Sequence, residues 1–205
     1  MNAMWKVIPV LLGMLPLAGT AAPGDGDFAA GKAALLRGGG TGTERAVAEG
    51  AAYARFLAAA RAGHPAAMDA LGMMLVNGRG VEKDVAAGLD WLRRSAAAGN
   101  PRAHYSLGLM AAAGRYLPRD AGAAVAHWQA AAAAGHAGAA YRLALASLRG
   151  EGTPRDDGVA REWLARAAEG GDPEARALLE GHGCGGTDVV LAGGADSTGG
   201  DHGTR

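Results

Sequence analysis

A single cysteine, Cys184, stands among the 205 residues of this chain, so no internal disulfide framework can form and stability must come from packing. Aromatic residues are scarce as well. At 5% aromatics, with two phenylalanines, the chain lacks the bulky side chains that fill a β-sandwich core. Excess charge is missing too: 20 Lys and Arg balance 20 Asp and Glu, which removes the positive field that would recommend nucleic acid or an anionic membrane as a partner. The apolar run from Val7 to Leu17 has 11 residues, about half of the roughly 20 a bilayer-spanning helix needs, and Gly13 and Pro16 interrupt it. Glycine is abundant at 35, yet together with 8 prolines it makes up about a fifth of the chain, below the roughly 25–30% of low-complexity sequences. With 49% apolar residues there is material for a folded core.

Catalytic signatures are also missing. The chain has no GxSxG elbow, no CxxC and no HExxH. Gly26 to Lys32 has the spacing of a phosphate loop, but Ala33 replaces the hydroxyl that would bind magnesium, Asp27 lies inside the cradle, and no apolar strand precedes it. Ser95, Ser106, Ser147 and Ser197 are the four serines; the first three read as ordinary helical filler. Of the six histidines, His64 and His136 read as helix-start residues. His104 and His127 can approach one another, but a pair is a weak metal signal, because zinc normally takes three or four ligands. No catalytic residue, cofactor or metal site is therefore expected.

The first 21 residues read as an address. One cation, Lys6, precedes the apolar run, and the small residues Ala18-Gly19-Thr20-Ala21 follow it, which is the pattern of a secretory signal peptide cleaved after about Ala21. Thr20 stands where a lipoprotein would carry its lipidated cysteine, so lipid anchoring is not expected. Cleavage would remove Lys6 and no acid, leaving 19 basic against 20 acidic residues. The expectation is a periplasmic or secreted protein that is not inserted in the membrane.

What the chain has is a period. Leu71, Leu107 and Leu143 are spaced by 36 residues, and Leu35 and Leu179 fall in phase. Ala67, Ala103, Ala139 and Ala175 keep the same step, as do Gly78, Gly114 and Gly150, then Asp84, Asp120 and Asp156, then Gly63, Gly99, Gly135 and Gly171. A fixed period of this size marks a repeat architecture. Each repeat reads as two helices, because apolar and Ala residues recur at three- and four-residue spacing between Gly and Asp punctuation. Pro65, Pro101 and Pro173 suit first helical turns, and Asn100 and Asp172 just before two of them can cap free N–H groups. Ala67, Leu71, Met74 and Gly78 lie within about 40° of one line at 100° per residue, giving the first helix one packed stripe. Gly78-Arg79-Gly80 ends that helix, and Asp84 caps the second, which carries Trp91 and Leu92 and stops at Gly99. The predicted fold is a right-handed α-solenoid of about four helix-turn-helix repeats.

These residues resemble the Sel-one-like repeat (SLR) family, relatives of the tetratricopeptide repeats. The family's order of Ala, Leu-Gly, Gly-x-Gly, Asp, Trp, Ala-Ala and Gly is similar to Ala67, Leu71-Gly72, Gly78-Arg79-Gly80, Asp84, Trp91, Ala96-Ala97 and Gly99. It returns as Ala139, Leu143, Gly150-Glu151-Gly152, Asp156, Trp163, Ala167-Ala168 and Gly171. In the middle repeat Tyr116 replaces the second loop glycine, and His127 takes the Trp column with Trp128 one place later. That shift rotates the aromatic by about 100° around the helix, with His127 filling the vacated pocket. The organisation expected is a signal peptide at 1–21, a linker and degenerate capping repeat at 22–63, repeats at 64–99, 100–135 and 136–171, a capping helix at 172–181, and a disordered Gly-rich tail at 182–205. Cys184 and His182 fall in that tail, where the thiol could link two copies covalently; Val189 to Leu191 is its one apolar stretch.

Helix-pair solenoids present one helix per repeat along an inner surface suited to a protein or peptide partner. Opposite the buried stripe stand Asp69 and Met73, then Tyr105 and Leu109, then Tyr141 and Leu145, with Arg102 and Arg142 on the flank. Tyr and Arg are common interface hot spots, and the tyrosines serve equally well as packing between repeats. The resemblance implies a non-enzymatic adaptor, since family members include periplasmic regulators of sensor proteins and surface proteins used in host interaction. It also implies an alternative, a cell-wall or β-lactam-related binder or hydrolase, as suggested for cysteine-rich relatives whose paired half-cystines this chain lacks.

Overall fold

The computed structural model describes residues 22–39 and 41–181. The signal-peptide segment and the Gly-rich tail with His182, Cys184 and Val189 to Leu191 lie outside the described residues. Among the described residues there are nine helices and no strand: α1 (Asp25–Arg37), α2 (Gly42–Arg61), α3 (Pro65–Asn77), α4 (Val85–Ala97), α5 (Pro101–Ala113), α6 (Ala121–Ala133), α7 (Ala137–Arg149), α8 (Asp157–Glu169) and α9 (Pro173–Gly181). Six of them, α3 to α8, have 13 residues each, as a strict period demands. The fold is all-α and of the solenoid class, built from helix hairpins. No helix among the described residues is long and apolar enough to cross a membrane.

Each start and stop has a local cause. Asp84 and Asp120 accept hydrogen bonds from the N–H groups of Ala87 and Ala123, both at 2.9 Å, and Asp156 accepts from Gly158 and Val159. Asp172 does the same for Ala175 at 3.0 Å. His64 and His136 are also caps, accepting at Nδ1 from Ala67 and Ala139, each at 3.2 Å. Gly78 and Gly150 end α3 and α7 at φ 68° and 69°, a left-handed conformation that closes the helix without a Cβ penalty.

The chain divides into two compact units, one ending at Asn100 and the other starting at Pro101. In the first, α1 pairs with α2 and α3 with α4, and α2 packs on α3. Its core joins Ala52, Phe56, Ala59, Ala67, Leu71 and Met74. Glycine permits close approach here: a Cβ on Gly72 would stand 2.8 Å from both the Gly88 carbonyl oxygen and Leu92 Cγ. Ser95, expected as filler, is fully buried and ties the end of α4 to the start of α3. Its hydroxyl donates to the Pro65 carbonyl at 2.7 Å and accepts from Asn100 Nδ2 at 2.8 Å. The sequence conceals this role because a serine in an alanine column differs from its neighbours by one oxygen.

In the second unit α5 pairs with α6 and α7 with α8, while α6 packs on α7 and α8 on α9. One cluster holds Ala111, Val125, Trp128, Ala131 and Leu143, and another holds Ala140, Ala144, Leu164, Ala167 and Ala175. Leu143 is 2% exposed, so its side chain contributes about 1.5–3 kcal/mol of burial. The middle repeat's aromatic shift is resolved by pairing. Trp128, 7% exposed, lies over Gly108, where a Cβ would come within 2.5 Å of its Nε1. It occupies the column of Leu92 and Leu164, and the residue facing that column is Gly72, Gly108 or Ala144 in turn.

Candidate protein-binding surface

The candidate residues are divided between the two units. In the first unit α3 supplies Asp69 and Met73. Asp69 is 4% exposed, so the expected placement on an open face is corrected for this residue. Met73, one turn later, remains half-buried.

The second unit holds the rest. On α5, Arg102 is exposed, and Tyr105 and Leu109 are half-buried, at the three- and four-residue spacing that sets them on one side of the helix. Both Tyr105 and Leu109 rest against the Leu143 cluster. On α7, Tyr141, Arg142 and Leu145 are half-buried, and Tyr141 rests against the Ala144 cluster. The Nε atom of Arg142 is buried without a hydrogen-bond partner among the described residues. Each tyrosine is thus partly packed on the core and partly exposed.

One participant was not anticipated. His136, the cap of α7, stacks on Tyr105 with ring centroids 4.4 Å apart and planes 22° apart, so Tyr105 links α5 to the start of α7. Burial lowers the pKa of His136, a backbone hydrogen bond opposes that shift, and the nearby Arg102 guanidinium adds to it. The neutral imidazole is the form that accepts from Ala139 N–H. The cap column was legible in sequence; the stack was not, because it joins residues 31 positions apart on different helices. In the first unit His64 is built alike, stacked on Phe28 at 4.4 Å with Nε2 3.2 Å from Asp25 Oδ1.

On α8, Arg166 lies over Trp163 at 4.7 Å in the second unit, and on α4, Arg94 lies over Trp91 at 4.9 Å in the first. His127, in the same column, meets His104, Nδ1 to Nδ1, at 3.1 Å.

Residues 65–100, 101–136 and 137–172 each match the Sel1 repeat model, more than half of the chain. The chain belongs to the Sel1 repeat family. These repeats are part of the tetratricopeptide-like superfamily, and Sel1 repeat proteins are generally non-enzymatic scaffolds for protein interaction. The fold is similar to that of a Sel1 repeat protein from Oxalobacter formigenes, with 33% identity and a TM-score of 0.59, covering 62% of this chain and 95% of that one. It is also similar to c5321, a protective antigen of uropathogenic Escherichia coli strains with an SLR fold, at 27% identity and a TM-score of 0.65. That match covers 78% of this chain and 34% of the antigen. Helicobacter pylori cysteine-rich protein B shares the fold, with 16% identity and a TM-score of 0.53 over 69% of this chain and 100% of that one. No curated protein matches the chain.

Proposed function

We propose that this Sel1 repeat protein is an exported, non-enzymatic adaptor that binds a segment of a partner protein and regulates or assembles an envelope complex. The observation that carries the binding reading is the set Arg102, Tyr105, Leu109, Tyr141 and Leu145 in the second unit, where a cation, two tyrosines and two leucines stay accessible on a packed frame. Rigid aromatic and Arg anchors on preorganised helices give affinity at low entropic cost. The export reading is supported by the composition of Met1 to Ala21. The binding test is crosslinking of the tagged protein in its own cells, compared with Tyr105→Ala plus Tyr141→Ala and with exposed Arg102→Glu. One dominant partner, lost in a double variant whose circular dichroism is unchanged and weakened by Arg102→Glu, is expected. A partner retained by both variants would place recognition elsewhere. Turnover of nitrocefin above buffer would replace the adaptor with the β-lactam hydrolase reading.

A further inference from the structure

The middle repeat departs from its neighbours in two columns at once. Where the first repeat has Met68 and Trp91 and the third has Ala140 and Trp163, the middle one has His104 and His127. Met68 and Trp91 border the core of the first unit, and Ala140 and Trp163 belong to that of the second, so the default occupant of these paired columns is apolar. Exchanging it for two imidazoles sacrifices apolar packing for polar groups that then require satisfaction. Their Nδ1 atoms converge at 3.1 Å, with ring centroids 5.4 Å apart and planes at 46°. Both rings are half-buried and so remain accessible from solvent.

That separation is the one two ligands on a single metal ion require. Nitrogen ligands about 2.0–2.1 Å from a common zinc, held 3.1 Å apart, subtend an angle of about 100°, between the square-planar and tetrahedral values. We propose that His104 and His127 bind one divalent transition-metal ion of the imidazole-preferring class, copper, zinc or nickel, through their Nδ1 atoms. Without metal, one Nδ1–H donates to the other Nδ1 across the same gap, which holds both atoms in converging positions. On binding, the donor ring gives up its Nδ1 proton and takes one at Nε2 through solvent, so both rings stay neutral and each supplies a lone pair to the metal. No group of three or more His, Cys, Asp or Glu side chains suited to a metal ion occurs among the described residues, so water completes the shell. Such a site has positions open to a ligand from another molecule.

Metal alone is the probe. The full chain is prepared with His182→Ala, Cys184→Ala and His202→Ala, so that the tail offers no competing ligand, and is titrated with Cu2+ at pH 7.5 and pH 5.5. Copper is chosen because it binds nitrogen sites most tightly in the divalent series. Saturable uptake of one equivalent is expected, with paramagnetic resonance showing hyperfine coupling to two imidazole nitrogens, and with affinity falling at pH 5.5 as protons compete. The pair His104→Met plus His127→Trp, which installs the residues of the first repeat, should stay helical and lose at least about tenfold in affinity. Absence of saturable uptake, coupling to fewer than two imidazoles in the unsubstituted pair, or undiminished binding by the Met–Trp pair would each overturn the proposal. The resonance spectrum needs no variant of the pair, so it decides the matter even where His127→Trp fails to fold.

Discussion

Tyr116 carries the clearest local conflict in the chain. It sits in the loop column of Gly80 and Gly152, and it adopts their left-handed conformation, φ 68° beside 67° and 73°. A bulky side chain pays about 1–2 kcal/mol for that backbone. In partial return the Arg115 guanidinium lies 4.9 Å over its ring and donates to its hydroxyl at 2.9 Å. These are surface contacts of roughly 0.5–1 kcal/mol, so the backbone term is the larger. Tyr116→Gly should therefore leave the melting temperature unchanged or raise it by a few degrees. A fall of several degrees in a thermal melt would show that the ring contributes more than its backbone costs. The loop column was readable in the sequence, and so was the odd tyrosine; that the backbone keeps the glycine conformation regardless was not, because turn geometry is imposed by the helices on either side.

Between elements, the Gly108–Trp128 contact and the His136 cap give two separate tests. A methyl on Gly108 collides with the Trp128 ring, so Gly108→Ala alone should cost about 1–3 kcal/mol by overpacking. Trp128→Leu alone leaves a void over Gly108 and should cost about 2–4 kcal/mol, offset in part by removing a buried indole N–H that has no hydrogen-bond partner among the described residues. The two together recreate the Ala144 and Leu164 pair of the third repeat. Denaturant melts should show the double variant more stable than the sum of the single losses, and strict additivity would mean the residues do not share a contact. For the cap, the folded pKa of His136 is lowered from 6.5, so the unfolded chain takes up its proton first as pH falls. Its contribution is complete above about pH 6.5 and diminishes through the pH range below that, down to the folded pKa. Protonation also removes the lone pair that accepts from Ala139 N–H. His136→Asn keeps a capping side chain without that titration, and the loss of stability between pH 7.5 and 5.5 should be smaller in the variant than in the parent. An identical loss in both would assign the pH dependence to other groups.

At the scale of the whole molecule, the number and order of hairpins follow from spacing alone. Helix length, caps and stops are local properties, each decided within about four residues, and a 36-residue recurrence repeats those decisions along the chain. Family membership was legible for the same reason, since Ala67, Leu71, Gly78, Asp84 and Trp91 and their repeats are fixed by this local geometry and by one shared packing solution. The candidate surface was legible only as a helical face. Helical phase places Asp69 opposite Leu71, yet that position is buried, whereas Tyr105 keeps a half-buried ring stacked on His136 of the next hairpin. The period, the helices, their caps and the scarcity of chemistry that made a scaffold the expected role are all set by residue order. Packing of helix on helix is what lays Trp128 over Gly108, joins two helices through Ser95 and brings His104 to His127. Each of these is a contact between helices, set by the depth to which one side chain enters the groove of the next, and spacing along a single chain does not carry that depth.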